Sequence, residues 1–189
     1  MGVAKQVLDF EGEPLVRHCA RQALAANPSR LIVVVGAHAA AVRLALEGLP
    51  VEVVENPDWD SGIGSSIRKG VRAVALGQEP ALILTLADQP ALRAESFKRL
   101  ESVWRETGKS IVSSSYAETY GVPVLFARER FRDLDGLKPT AGCKGLIERR
   151  LEETEMVEMP EASLDVDTPA DYERLKRVGV GEGALSAKP

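Results

Sequence analysis

Cysteine and histidine are scarce in this chain. Two cysteines, Cys19 and Cys143, and two histidines, His18 and His38, in 189 residues exclude a disulfide framework and a Cys/His zinc cluster. Any metal must therefore sit on oxygen ligands. Long apolar runs are missing too: none approaches the roughly 18 residues of a spanning helix, and the opening MGVAKQVLDFEGEP has no apolar signal-peptide core. The expectation is a soluble cytoplasmic protein with no membrane partner. An excess of basic charge is also lacking, because 24 Lys plus Arg against 28 Asp plus Glu leave a net charge of -4. That balance removes any bulk attraction for nucleic acid, while a local anion site remains open. No repeat or low-complexity linker divides the chain. One domain over 1–178 is expected, with 179–189 as a fraying tail.

What is present is an alternation of strand and helix. Arg30–Gly36, RLIVVVG, is a β-branched run ended by glycine; the Ala-rich stretch His38–Glu47 and then VEVVE at Val51–Glu55 give strand, helix, strand. In Ser61–Leu76, Ile63, Ile67, Val71 and Val74 share one helical face. Pro80–Ala87, PALILTLA, is nearly continuous in apolar residues, as in a strand covered on both faces. A helix over Ala94–Thr107, strands at Ile111–Ser115 and Val122–Phe126, a helix at Gly142–Glu152 and a strand at Met156–Met159 follow. Thr168-Pro169-Ala170-Asp171 then carries an N-cap, a first-turn proline and an acid three residues after the cap. The pattern predicts an α/β layered fold with a mainly parallel sheet and helices on both faces.

The front end departs from this pattern. A doubly wound domain opens with a buried strand and an anion-binding loop, whereas here only the weak strand Val7–Phe10, VLDF, precedes the turn Glu11-Gly12-Glu13. The expected first strand is not in this sequence. We expect Arg30–Val35 and Ala81–Leu86 to run parallel with a gap between them, and expect coding sequence upstream of Met1 to supply the strand.

Several residues are candidates for chemistry. Asp88 ends the most apolar strand, where open α/β sheets place ligand-contacting groups, although a turn acid before Gln89-Pro90 would look the same. In LDVDTP, Asp165 and Asp167 point the same way along an extended segment. Thr168 already caps the next helix, so the Asp167 carboxylate is free. Asp88 and Asp167 could together hold magnesium, which binds through a few carboxylates plus substrate phosphates. Lys5 offers positive charge, or is a solvated surface lysine. The helix start around Gly62–Ser66 offers backbone amides and close approach at its glycines, or is a plain loop-to-helix junction. Lys144, four residues before Glu148, could be ordinary helix charge.

In chain order, MGVAKQVLDFEGEPLVRH, VVVGAHA, NPDWDSGIGSSIRKG, LTLADQP, YGVPVLF and LDVDTPADYERL resemble the MobA-like nucleotidyltransferases, most closely the molybdenum cofactor cytidylyltransferase branch. The resemblance covers about Met1 to Leu175. It implies a Rossmann-like fold that transfers a nucleoside monophosphate from an NTP, CTP favoured, to a phosphorylated pterin-type acceptor, releasing pyrophosphate with Mg2+. It also implies a molybdoenzyme as a maturation partner. Purine-catabolism relatives, GTP users and a non-catalytic nucleotide or cofactor binder are the alternatives.

By the same resemblance, Lys5 matches the signature lysine on NTP phosphates, and Asp88 and Asp167 match the two metal-binding acids. Asn56, Gly62, Ser65 and Ser66 match the stretch near nucleotide and acceptor. Three departures stand out. Only Met1–Lys5 of the family's glycine-rich signature survives, so low turnover is expected. Val122 stands where members carry histidine, and Thr140 and Lys144 replace an acid and an arginine, which keeps a charge but loses the bidentate fork.

Overall fold

The computed structural model describes residues 5–166 and 171–172. After a single 3-10 turn at Lys5–Val7, the two-residue strands β1 (Asp9–Phe10) and β2 (Glu13–Pro14) form a small antiparallel pair. Helix α1 follows at Leu15–Ala25. This helix is absent from the predicted elements, although Leu15, Val16, Cys19, Ala20 and Ala23 recur with helical period. Next come β3 (Ile32–Val35), α2 (Ala39–Ala45) and β4 (Glu52–Glu55), with β3 and β4 paired in parallel. Helix α3 (Ile63–Ala75), β5 (Ala81–Leu84) and α4 (Ala94–Thr107) continue the alternation.

The second half is a hairpin, β6 (Ile111–Tyr116) and β7 (Thr119–Ala127), followed by the short helices α5 (Phe131–Asp135) and α6 (Lys144–Glu148) and by β8 (Thr154–Glu158). Ala117 and Glu118 both adopt positive φ at the hairpin turn, the conformation a two-residue connection needs to match strand twist. The helix expected over Gly142–Glu152 shortens to α6 plus a 3-10 turn at Leu151–Glu153. The cap expected at Thr168 lies outside the described residues. Tyr172 sits in helix and donates from its hydroxyl to the Asp9 carbonyl at 2.5 Å.

The fold class is the expected α/β nucleotidyltransferase type, with a mixed sheet. The strand order is β5-β7-β6-β8, in which β7 runs antiparallel to both neighbours and β6 and β8 are parallel. The β7 reversal follows from the tight hairpin, since parallel neighbours need a long crossover. Helices cover both faces. On one, Ile67 and Val71 of α3, Phe131 and Leu134 of α5, and Ile147 of α6 pack with Ile111, Val124 and Phe126. On the other, Phe97 and Leu100 of α4 pack with Val112, Leu125 and Met159. A third cluster joins Val16 and Ala20 of α1 to Val35 and to Val42 and Ala45 of α2.

The β3–β4 pair and the four-stranded sheet are not hydrogen-bonded to each other. Their first strands nevertheless start at the same end of the domain: Arg30, just before β3, bridges to Glu79, just before β5, at 3.5 Å. The two apolar strands, expected as parallel members of one sheet with a gap between them, thus fall in separate sheets.

Candidate functional site

Beyond the carboxyl end of β5 the chain turns through Asp88-Gln89-Pro90. Asp88 is reached across the fold by Lys5, whose Nζ donates to Oδ2 at 2.6 Å, with the side chains 29% and 14% exposed. Among the described residues, the other oxygen, Asp88 Oδ1, is buried without a partner. Buried polar atoms are rarely left unmatched, and a carboxylate oxygen left open beside an ammonium is a ready ligand for a hard cation or an ordered donor.

Two distant segments hold this turn. From α1, His18 Nε2 lies 3.2 Å from the Pro90 carbonyl and 2.9 Å from Arg93 Nη1, which itself donates to that carbonyl at 2.8 Å. A neutral ring satisfies this set when Nε2 accepts from Arg93 and the proton sits on Nδ1, 3.6 Å from Glu13 Oε1. Burial, and then the Arg93 charge, lower the His18 pKa accordingly. From the later chain, Gln89 Nε2 donates to the Ala162 carbonyl at 2.8 Å, and the Val166 amide donates to the Asp88 carbonyl at 3.0 Å. The backbone is thereby brought to Asp88 at the residue immediately before Asp167, which lies outside the described residues. Asp165 is exposed. His18, Gln89 and Arg93 carry no signal in the sequence, because His18 and Gln89 meet main-chain carbonyls of distant segments and Arg93 meets the distant His18 ring.

Neighbouring Cys19 is inert: burial, and then the negative charge of Asp88, push its thiol up to about 12. Burial likewise raises Cys143 to about 11. Neither supplies a thiolate near neutral pH.

The stretch Asn56–Ser66 forms a latched corner between β4 and α3. Asn56, 3% exposed, donates from Nδ2 to Ser65 Oγ at 2.8 Å and to Ser66 Oγ at 3.0 Å, while its Oδ1 accepts from the Asp58 amide at 3.2 Å. Ser65 Oγ lies 2.7 Å from the Gly62 carbonyl and 2.9 Å from that of Asp58, and its hydrogen is engaged there. Three of the amides expected to be free at this helix start have partners inside the protein. Gly64 N donates to the Pro139 carbonyl at 2.7 Å, Ser65 N to Gly62 at 3.0 Å and Gly62 N to Trp59 at 3.2 Å.

The glycines here serve chain-on-chain packing: at Gly64 a Cβ would meet the carbonyls of Lys138, Ala141 and Pro139, and Gly62 has φ +120. Lys144 does not pair with Glu148 as ordinary helix charge. Its Nζ donates to Thr119 Oγ1 at 2.9 Å and lies 5.2 Å from the Tyr120 ring centre.

The Lys5–Asp88 pair lies beyond the carboxyl end of an apolar strand in a Rossmann-like layer, where open α/β sheets bind their ligands. Residues 1–155 match the MobA-like NTP transferase domain, and the chain belongs to that family. Nicotine blue oxidoreductase of Paenarthrobacter nicotinovorans is 28% identical over 182 residues, covering 90% of this chain and 87% of that protein. Purine catabolism protein PucB of Bacillus subtilis is 28% identical over 123 residues, 64% of this chain and 58% of that one. Among solved structures, Rv0371C of Mycobacterium tuberculosis, complexed with manganese, superposes with a TM-score of 0.77 at 28% identity over 92% of each chain. NTP-dependent nucleotidyl transfer is the chemistry of this family.

Proposed function

We propose that this chain transfers a nucleoside monophosphate from an NTP, CTP favoured, to the terminal phosphate of a pterin-type acceptor. The observation that carries the reading is the Lys5–Asp88 pair at the end of β5, with Asp88 Oδ1 buried and open. An acceptor phosphate oxygen attacks the α-phosphorus, the bond from that phosphorus to the bridging oxygen breaks, and pyrophosphate leaves with the bond electrons. A phosphate monoester is largely ionised near neutral pH, so no protein base is required. His18 stays neutral and structural.

The donor set at Asp88 fits a hard divalent cation, which Asp88 and Asp167 would hold as the protein's ligands. When bound, magnesium supplies charge neutralisation at the reacting phosphates. Lys5 contributes a compact cation of the same sign for the triphosphate oxygens. In the latched corner, Ser66 is assigned the ligand-facing hydrogen bond. Its hydroxyl accepts from Asn56, whereas the Ser65 hydrogen is engaged by main-chain carbonyls. Asn56, Gly62 and Ser65 hold the wall on which Ser66 sits.

The test is pyrophosphate release by the purified chain with CTP, GTP, ATP or UTP, magnesium and a phosphorylated pterin. Release that requires the acceptor, with CTP fastest, supports the reading. Absence of release with every NTP, together with absence of NTP binding by calorimetry, overturns it.

A further inference from the structure

Among the described residues Trp59 is the one aromatic side chain in the exposed class; it is 49% exposed, as is Ile63 four positions on. Exposure on this scale leaves apolar surface in water, yet the ring is not loosely held. A Cβ on Gly36 would run into Trp59 Cβ and lie 2.6 Å from its Cγ, so glycine at the end of β3 lets the main chain press against the root of the indole. The 3-10 turn Trp59–Ser61 is tied on both sides. The Asp58 amide donates to Asn56 Oδ1 at 3.2 Å, the Ser61 amide and hydroxyl donate to the Asp58 carbonyl at 3.1 and 2.7 Å, and the Gly62 amide donates to the Trp59 carbonyl at 3.2 Å. A half-exposed ring whose root and main chain are both fixed is preorganised for contact.

This surface adjoins the candidate site on two sides. Ile63 and Ser66 lie three positions apart and share one face of the first turn of α3, and Asn56, which holds Ser66 Oγ at 3.0 Å, precedes Trp59 by three residues. On the other side Gly36 follows Val35, whose apolar cluster takes in Ala87, the residue before Asp88. Trp59 is thereby joined to the Asp88 turn through Gly36, Val35 and Ala87. Charge next to the ring is of one sign: Asp58 and Asp60 flank Trp59 and both are exposed. The surface therefore repels phosphate and suits the uncharged, ring end of a ligand whose phosphate lies elsewhere.

We propose that the Trp59 indole, with Ile63 beside it, is the platform on which the pterin ring of the acceptor stacks while the acceptor phosphate reaches the Lys5–Asp88 turn. The inference rests on the proposed transfer reaction for the identity of the ligand. A bicyclic heterocycle matches the bicyclic face of indole, and flat rings stack on aromatic side chains without needing hydrogen bonds. The acidic flanks favour the acceptor over the base of CTP. A pterin presents an amino group and a ring N–H side by side, two donors that one carboxylate can accept together, whereas cytosine presents its amino group beside a ring acceptor. Trp59 touches no reacting atom in this arrangement. It determines specificity, by holding a flat acceptor and gaining nothing from a flexible phosphate ester.

The full chain, Trp59→Phe and Trp59→Leu are titrated calorimetrically with 6-hydroxymethylpterin monophosphate and, separately, with CTP and magnesium; thermal unfolding is followed on the same preparations. Leucine keeps apolar bulk on Gly36 but has no π face, and phenylalanine keeps a smaller one. Trp59→Leu is expected to weaken the pterin phosphate about tenfold, the scale of one lost ring stack. Trp59→Phe should stay within about threefold of the parent chain, and neither variant should alter CTP binding. Equal affinity of Trp59→Leu and the parent chain for the pterin phosphate overturns the platform and leaves the transfer reaction standing. Parallel weakening of both ligands overturns it too, since Trp59 would then only support the fold of the corner. Weakening of CTP alone assigns the ring to the nucleobase and overturns it as well. Absence of pterin phosphate binding by the parent chain overturns the proposed acceptor, and the platform with it.

Discussion

Lys5 and Asp88 lie 83 positions apart in the chain and meet in a 2.6 Å hydrogen bond at the carboxyl end of β5. The bond joins the start of the described chain to the turn after the fifth strand. It puts a cation and an anion of the proposed site in contact before any phosphate arrives.

Asp88→Asn should lower turnover by about 100-fold or more, the scale of losing one well-placed electrostatic partner, with less than about 1 kcal/mol of stability lost. The amide keeps an acceptor for Lys5 but not the charge a hard cation needs. Pyrophosphate release across a magnesium titration and thermal unfolding of the same preparations are the measurements. Undiminished turnover at limiting magnesium would remove Asp88 from the site.

Lys5→Gln should weaken NTP binding about tenfold, as expected when a charge-assisted hydrogen bond is lost. Calorimetric titration of the triphosphate reads this directly. An unchanged dissociation constant would leave Lys5 as a structural partner of Asp88 only.

The pH dependence of stability should carry the mark of His18. Its folded pKa is lowered, so the unfolded chain binds the proton more readily. Stability should therefore be complete above the unfolded pKa of about 6.5 and decline as pH falls from there toward the folded value. One proton gives a slope of at most about 1.4 kcal/mol per pH unit. Urea unfolding between pH 7.5 and 5 should show the decline, and His18→Gln should flatten that segment. A slope unaltered in the variant would place its origin elsewhere.

Gly64→Ala should cost about 1–3 kcal/mol. The added Cβ would lie 2.7 Å from the Ala141 carbonyl and 2.8 Å from that of Pro139, and main chain cannot swing away as a side chain can. Ser66→Ala, which leaves the Asn56–Ser65 bond in place, should instead change ligand affinity and leave the unfolding midpoint within about 0.5 kcal/mol equivalent. Comparable destabilisation by both would give Ser66 no separate role.

The sequence by itself determined the elements whose stability is local. Helix α4 falls at Ala94–Thr107 as its apolar period predicts, and the β-branched and apolar runs become β3 and β5 because such residues suit a covered strand. It also marked Asp88, since an acid that ends an apolar strand is visible in one dimension. Only the tertiary structure decided what that acid meets. The contact with Lys5, the reach of His18 to Pro90 and Arg93, and the Pro139 carbonyl seated on the start of α3 join segments tens of residues apart. Such pairings are set by which faces pack together, and no periodicity within either segment encodes the partner. The separation of β3 and β5 into two sheets belongs to the same class, because hydrogen bonds between strands depend on neighbours that a single strand's sequence does not name.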